Sequence, residues 1–305
     1  MEIEIIGPEV ESRMSWRALL KAFAEGHQLP RAEIGDTFLY RDPDTLLSRA
    51  AWIDGLGSAV KTATIFPRNP GAGKPMVNGA VNLYSDSDGT LEAIVDFHLV
   101  TKWKTAGDSL YAASLLARAD SRNITIVGAG TVGANMIEAY GALFPDAQFS
   151  IWNRSPDAAR ALAARHANAR FAPDLEAAVR GADIICTATM STTPVVQGDW
   201  LQPGQHLDLI GAYRPDMREV DDTALRRATV FVDSRATTLD HIGELKIPLA
   251  AGTITRDAIR ADYYDVPNGL FARNADTEIT IAKNGGGAHL DLMTSRYVLK
   301  CWRGE

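Results

Sequence analysis

Cysteine is scarce in this chain: Cys186 and Cys301 are the only two among 305 residues. Neither belongs to a CxxC pair. That argues against a disulfide framework and against a zinc site, so no metal is expected and both thiols read as reduced. Long apolar runs are missing too. Nothing approaches the roughly 18 consecutive apolar residues of a membrane-spanning helix. The N-terminal string Met1-Glu2-Ile3-Glu4-Ile5-Ile6 lacks a basic stretch, so it does not read as a signal peptide, and a cytoplasmic location is expected. Positive charge is in deficit. Lysine and arginine number 31 against 38 aspartates and glutamates, a net charge of −7. That argues against broad nucleic-acid binding and against attachment to an anionic membrane. No internal repeat or low-complexity segment is visible.

What is present is ordinary for a globular protein: 46% hydrophobic and 23% charged residues. At ~150 residues per domain the length suggests about two domains. Up to residue 118 the pattern is mixed α and β. Trp16, Leu19, Leu20 and Phe23 fall at helical spacing within 16–25. Residues 59–66, 78–84 and 91–96 read as strands, the last two joined by the polar turn Ser85-Asp86-Ser87-Asp88-Gly89. Residues 67–75 read as a loop by their proline and glycine content. A helix is expected over 105–118. From residue 122 short apolar strands (123–127, 148–152, 184–187, 206–210, 229–232) alternate with helices. Of these, 132–144 is the first, and Ser155 with Pro156 opens the second. Such alternation predicts a parallel, doubly wound α/β sheet. A last strand, 278–282, precedes Gly285-Gly286-Gly287 and a C-terminal helix.

The most specific motif is Gly128-Ala129-Gly130-Thr131-Val132-Gly133, a GxGxxG directly after a strand and before a helix. Gly128 permits the tight turn, Gly130 lets the backbone approach a pyrophosphate, and Gly133 lets helix and strand pack closely. The phosphates would sit on free N–H groups at the helix N-terminus. An acidic residue about 20 positions further on would bind the ribose 2′-hydroxyl of NAD. Here that place holds Asn153-Arg154-Ser155, three hydrogen-bond donors and no carboxylate. Arginine forks onto phosphate bidentately, so NADP(H) is expected to be preferred, with NAD(H) possible. Thr189 and Met190 follow the fourth strand of the alternating region, and ligands bind outside the carboxyl ends of such strands. Both are candidate cofactor contacts.

Several strings together are more specific than any alone. Val60-Lys61 precedes a strand end at Phe66-Pro67. The stretch from Val95-Asp96 through Thr101-Lys102-Trp103-Lys104-Thr105-Ala106 comes before the glycine loop. Gly211-Ala212-Tyr213-Arg214-Pro215-Asp216-Met217-Arg218-Glu219 and Gly285-Gly286-Gly287-Ala288-His289-Leu290-Asp291 come after it. In this order they resemble the ornithine cyclodeaminase/mu-crystallin family over nearly all the chain beyond about residue 50. The Asn-Arg-Ser string is similar to its mu-crystallin branch. The resemblance implies a Rossmann-type domain, 119–277, inserted into a discontinuous α+β substrate and dimerisation domain, 1–118 with 278–305. It also implies a homodimer acting on amino or imino acids.

The resemblance further implies that Lys61 and Lys104 hold the substrate carboxylate. Lys104 stands where the family usually has arginine, a point charge in place of a planar fork. Thr105 beside it is taken as a cofactor contact. An upstream family arginine has Arg41 and Arg49 as candidates. At position 213 cyclodeaminases carry an aspartate tied to ammonia loss; tyrosine here favours C=N reduction. Tyr213, His98 and Asp291 are the candidate proton donors, and His98 with Lys102 and Lys104 would suit a second substrate carboxylate. Lys102 and Lys104 share a face if their segment is extended and diverge if it is helical. The expected function is NAD(P)H-dependent reduction of a small α-imino acid, a cyclic imine such as Δ1-pyrroline-2-carboxylate or an acyclic one. The alternatives are an ornithine cyclodeaminase or amino-acid dehydrogenase, and a non-catalytic NADPH-dependent ligand-binding protein.

Overall fold

In this computed structural model residues 3–305 are described, so Met1 and Glu2 of the acidic N-terminus lie outside the described residues. The chain divides into two compact units, Met1–Lys104 with Gly287–Glu305, and Thr105–Gly286.

The first unit is built on a six-stranded sheet. Its strands are Glu4–Ile6 (β1), Glu33–Arg41 (β2), Asp44–Ile53 (β3), Gly57–Ile65 (β4), Val77–Tyr84 (β5) and Leu91–Asp96 (β6). They are ordered β1-β6-β5-β4-β3-β2. β1 is parallel to β6 and every other pair is antiparallel. Period-two alternation decides which face is inward. Ala59, Lys61 and Ala63 of β4, with Val81 and Leu83 of β5, are buried, while Ser58, Val60 and Thr62 lie between them on the other face. Helix Trp16–Gly26 (α1) forms as its spacing predicts, burying Trp16, Leu19, Leu20 and Phe23. The β5–β6 turn closes through the Ser85 N–H to the Thr90 carbonyl at 2.9 Å, with Gly89 at φ 70°.

Helix Phe97–Leu116 (α2) runs through the division between the units. The second unit then adds Asn123–Val127 (β7), Thr131–Leu143 (α3), Gln148–Trp152 (β8), Pro156–Ala163 (α4), Ala169–Phe171 (β9), Leu175–Arg180 (α5), Ile184–Thr187 (β10), His206–Leu209 (β11), Asp222–Arg227 (α6), Thr229–Val232 (β12), Arg235–Thr238 (α7), Gly243–Ala250 (α8), Ile259–Ala261 (β13) and Thr280–Lys283 (β14). Its eight strands, all parallel, are ordered β13-β12-β14-β11-β10-β7-β8-β9. The order reverses between β7 and β10, the switch point of a doubly wound sheet. The chain ends in Ala288–Arg303 (α9), which returns to the first unit and packs on β3, β4, β5 and α1.

Three expectations are corrected. The helix expected from residue 105 starts eight residues earlier, at Phe97, so the Lys102–Lys104 stretch is helical. The units divide at 104/105 and 286/287, not at 118/119 and 277/278. Asp108 is the reason at the first boundary: it is fully buried in the second unit, accepting from Tyr263 Oη at 2.9 Å and from Asn284 Nδ2 at 2.9 Å. At the second boundary, the 278–282 strand belongs to the parallel sheet, between β11 and β12. Every residue of β14 is buried, as a central parallel strand requires. Residues 33–53, read as no particular element, form the β2–β3 hairpin. The 67–75 loop contains a single 3-10 turn, Asn69–Ala72.

Candidate active site

Sheet, helix and C-terminus bring charged side chains together within the first unit. Lys61 leaves the inward face of β4, and its Nζ donates to Thr101 Oγ1 at 2.8 Å and to Asp291 Oδ1 at 2.9 Å. It also lies 4.7 Å from the Phe97 ring centroid. Lys104 Nζ approaches the same Asp291 oxygen at 3.8 Å. Phe97, Thr101 and Lys104 stand at i, i+4 and i+7, one face of α2. Arg49 is the direct partner of Lys61 across the β3–β4 register and is braced by Asp36 at 2.9 Å. Lys61, Lys104 and Asp291 are all buried.

Burial by itself would push the Asp291 carboxyl up. Lys104, Lys61 and Arg49 outweigh it and hold Asp291 below the usual carboxylate value. Lys61, Lys104 and Arg49 thus gather beside Asp291, with Asp36 on Arg49, and such a cluster of cations suits an anion such as a substrate carboxylate. Asp291 also occupies the first turn of α9, where the helix dipole favours negative charge. Its Oδ2 is buried and accepts no hydrogen bond.

Other residues named from the sequence lie elsewhere. His98 and Lys102, four apart on α2, occupy a different face from Lys104. His98 is exposed, edge-on to Phe97, and Lys102 pairs with Glu11 at 2.8 Å. The diverging, helical arrangement is the one realised, and the suggested second-carboxylate group of His98, Lys102 and Lys104 does not form. Arg41 sits at the end of the β2–β3 hairpin on Asp44 at 2.7 Å, so Arg49 is the arginine beside the lysines. His289 is buried near Lys104 and edge-on to His27 at 5.4 Å. Burial, then the charges of His27 and Lys104, press its pKa well below normal and keep it neutral. Thr101 and Phe97 lie in the family-like string 95–106 but were given no role there, because the helix that turns them toward Lys61 was expected to start only at 105.

In the second unit the glycine loop has the shape its motif requires. Gly128 adopts φ 122°, which side chains rarely tolerate. A Cβ on Gly133 would lie 2.0 Å from the Gly128 carbonyl, whereas one on Gly130 would meet nothing within 4 Å. Thr131 and Val132 begin α3 behind this opening, with no capping side chain and no acidic residue in the first turn. Free N–H groups, an open approach and no competing carboxylate fit a pyrophosphate.

Asn153 behaves differently from the expectation. Its Oδ1 accepts from Ala129 N–H at 3.1 Å and its Nδ2 donates to the Ser155 carbonyl at 3.1 Å. The amide thus holds the glycine loop with its oxygen and commits one of its two Nδ2 hydrogens to Ser155. Arg154 and Ser155 are exposed, and the Ser155 hydroxyl does not cap α4. Thr189 donates both its N–H and its Oγ1 to Glu219 at 2.8 Å. Met190 and Tyr213 are 72% and 58% exposed, large side chains left uncovered just beyond β10 and β11. Thr105 is a half-buried residue of α2. Glu219 closes the family-like string 211–219 but was given no role there, since a buried glutamate seven residues beyond a small-residue pair gives no local signal of its own.

Residues 53–305 match the ornithine cyclodeaminase/mu-crystallin family. The chain belongs to that family. A relative within it, the Delta(1)-pyrroline-2-carboxylate reductase of Paracoccus denitrificans, is 49% identical over 302 residues, 97% of this chain and 96% of the relative. The solved Delta(1)-pyrroline-2-carboxylate reductase of Thermococcus litoralis, in complex with NADH and L-proline, has TM-score 0.90 at 23% identity over 99% of this chain and 98% of that one. An archaeal alanine dehydrogenase dimer with bound NAD has TM-score 0.89 at 28% identity over 100% of this chain and 97% of that one. Among the described residues no helix is long and apolar enough to cross a membrane, and no group of three or more potential ligands could hold a metal ion.

Proposed function

We infer that this protein is an NAD(P)H-dependent reductase of a small cyclic α-imino acid, with Δ1-pyrroline-2-carboxylate as substrate and proline as product. The observation that carries the reading is the convergence of Lys61 and Lys104 on one buried carboxylate, at 2.9 and 3.8 Å, in a chain 49% identical to a reductase of that name. Lys61 spends two of its three N–H donors on Thr101 and Asp291. With the third, and with Lys104, it would hold the substrate carboxylate. Asp291 keeps both ammonium groups in place by charge.

The glycine loop, the N-terminus of α3 and Arg154 with Ser155 would hold the dinucleotide, whose reduced nicotinamide supplies a hydride when bound. Asp291 is ionised and so acts as an anchor, not as an acid. His98 points from another face of α2. The exposed Arg154 and Ser155, with Asn153 and no carboxylate directly after β8, support a preference for NADP(H).

A homodimer fits the first unit. All nine residues of β2 are exposed, among them Phe38, Leu39 and Tyr40, and Trp52 stands on the adjacent strand at 55% exposure. A long apolar edge strand requires cover, and the archaeal relative is a dimer. The test is NADPH oxidation with Δ1-pyrroline-2-carboxylate, with keto acids plus ammonia or methylamine, and with ornithine. Turnover of the cyclic imine supports the reading; ammonia and proline from ornithine would restore a cyclodeaminase instead.

A further inference from the structure

Glu219 is fully buried in the second unit and takes no part in the chemistry described above. Its carboxylate accepts four hydrogen bonds, as many as a carboxylate can take. Oε1 accepts from the N–H and hydroxyl of Thr189, both at 2.8 Å. Oε2 accepts from the N–H groups of Gly211 at 2.8 Å and Ala212 at 3.0 Å. These donors lie on two different loops, one leaving β10 and one leaving β11. Met190 directly follows Thr189, and Tyr213 directly follows Ala212.

The two loops are pressed together at the same point. A Cβ on Gly211 would lie 2.1 Å from the Thr189 carbonyl and 2.4 Å from Glu219 Oε1. The carboxylate is itself held from behind. Glu244 accepts from the Glu219 N–H at 2.6 Å and from the Val220 N–H at 3.2 Å. The Glu219 carbonyl accepts from Val195 and Val196 at 2.8 and 3.0 Å. The buried Lys283 ammonium, attracted by both glutamates, donates to the Leu209 and Asn284 carbonyls. A buried anion with this many partners fixes geometry; leaving any donor unsatisfied would be costly.

We propose that Glu219 is a positioning residue of the reductase, a single carboxylate that locks the β10 and β11 loops and so sets where Thr189, Met190 and Tyr213 stand. The inference rests on the nicotinamide-dependent reading above. In a doubly wound sheet the strands beyond the switch point form the second mononucleotide-binding half. Glu219 therefore governs that half, while the glycine loop, Asn153 and Arg154 govern the first.

The test uses the full-length Glu219→Gln and Glu219→Asp variants and two ligands, NADPH and 2′-phospho-ADP-ribose, which lacks the nicotinamide. Binding is measured by calorimetry, and kcat with Δ1-pyrroline-2-carboxylate. Glutamine turns one acceptor oxygen into a donor facing other donors; aspartate keeps the charge but withdraws it. For Glu219→Gln the NADPH Kd rises about tenfold or more and kcat falls roughly a hundredfold, the scale of a misplaced reacting group. The Kd of the fragment stays within about twofold, and Glu219→Asp recovers part of the loss, because charge-assisted bonds are partly restored. If Glu219→Gln does not fold, Glu219→Asp decides by the same ratio of NADPH to fragment binding. An unchanged ratio with a lowered Tm overturns the proposal and leaves Glu219 a purely structural residue. Wild-type protein that binds the fragment but neither binds NADPH nor reduces the imine overturns the underlying functional reading, and the proposal with it.

Discussion

Lys61 reaches Asp291 from a strand, and Lys104 reaches it from a helix. One buried carboxylate thus holds two cations that would otherwise repel. Replacing Lys61 with methionine keeps the volume and removes the charge. The KM for the imino acid should rise roughly 10- to 100-fold, the worth of a hydrogen bond to a charged group, with NADPH binding unchanged by calorimetry. Asp291→Asn leaves both lysines buried without their counter-charge. Breaking a buried pair this way costs about 3–5 kcal/mol, so chemical unfolding should show a large loss of stability together with the loss of activity. At the other end of the reaction, Arg154→Ala should lower the ratio of kcat/KM for NADPH to that for NADH by about tenfold or more. An unchanged ratio would show that Arg154 does not touch a 2′-phosphate.

Glu244 gives the residue scale a pH signature. Burial first, then the neighbouring Glu219 charge, lifts its pKa from 4.5 to about 7. The folded state therefore binds this proton more tightly than the unfolded chain does. Its contribution to stability is complete below pH 4.5 and is lost as pH rises through about 7. Glu244→Gln resembles the protonated form and should lose less stability than wild type between pH 5 and 8 in urea titrations. Parallel slopes for the two proteins would contradict the assignment.

At the scale of elements, two glycines of one loop make opposite predictions. Gly133 packs α3 on the loop, with no room for a Cβ beside the Gly128 carbonyl. Gly133→Ala should lower both Tm and NADPH affinity, the overpacking costing about 1–3 kcal/mol. Gly130 faces open space. Gly130→Ala should keep the wild-type Tm and lose only the cofactor, because the added methyl obstructs the pyrophosphate alone. Wild-type NADPH affinity in Gly130→Ala would remove the phosphates from that loop.

Elements with regular periodicity were legible from the sequence. The strands 123–127, 148–152, 184–187 and 229–232 occur at the residues expected. The α2 start was not, because Phe97-His98-Leu99-Val100 is apolar and β-branched enough to continue a strand. Only the Asp96 side chain, accepting from the Leu99 N–H at 2.7 Å, marks the switch to helix. That one boundary carried Phe97 and Thr101 with it. The β2–β3 hairpin was missed because β2 is exposed on both faces and shows no inward stripe.

On the scale of the whole molecule, the first and last segments of the chain make one unit and the middle makes the other. A discontinuous first unit followed from the motif order. Its limits did not, since β14 joins the parallel sheet through contacts no local pattern encodes. The exposed β2 edge is where the proposed dimer would pair. Changing Leu39 and Trp52 to arginine should convert a dimer into a monomer by light scattering, since charge blocks edge pairing. A wild-type protein that is monomeric at tens of micromolar would refute the dimer.

The chemistry at issue is reduction of a C=N bond beside a carboxylate. The most direct measurement offers Δ1-pyrroline-2-carboxylate with NADPH carrying two deuteriums at C4 and analyses the product by mass spectrometry. The expected product is proline with one deuterium at Cα, formed in step with NADPH oxidation and without ammonia. Proline lacking deuterium, or no oxidation of NADPH or NADH with this imine, would contradict it.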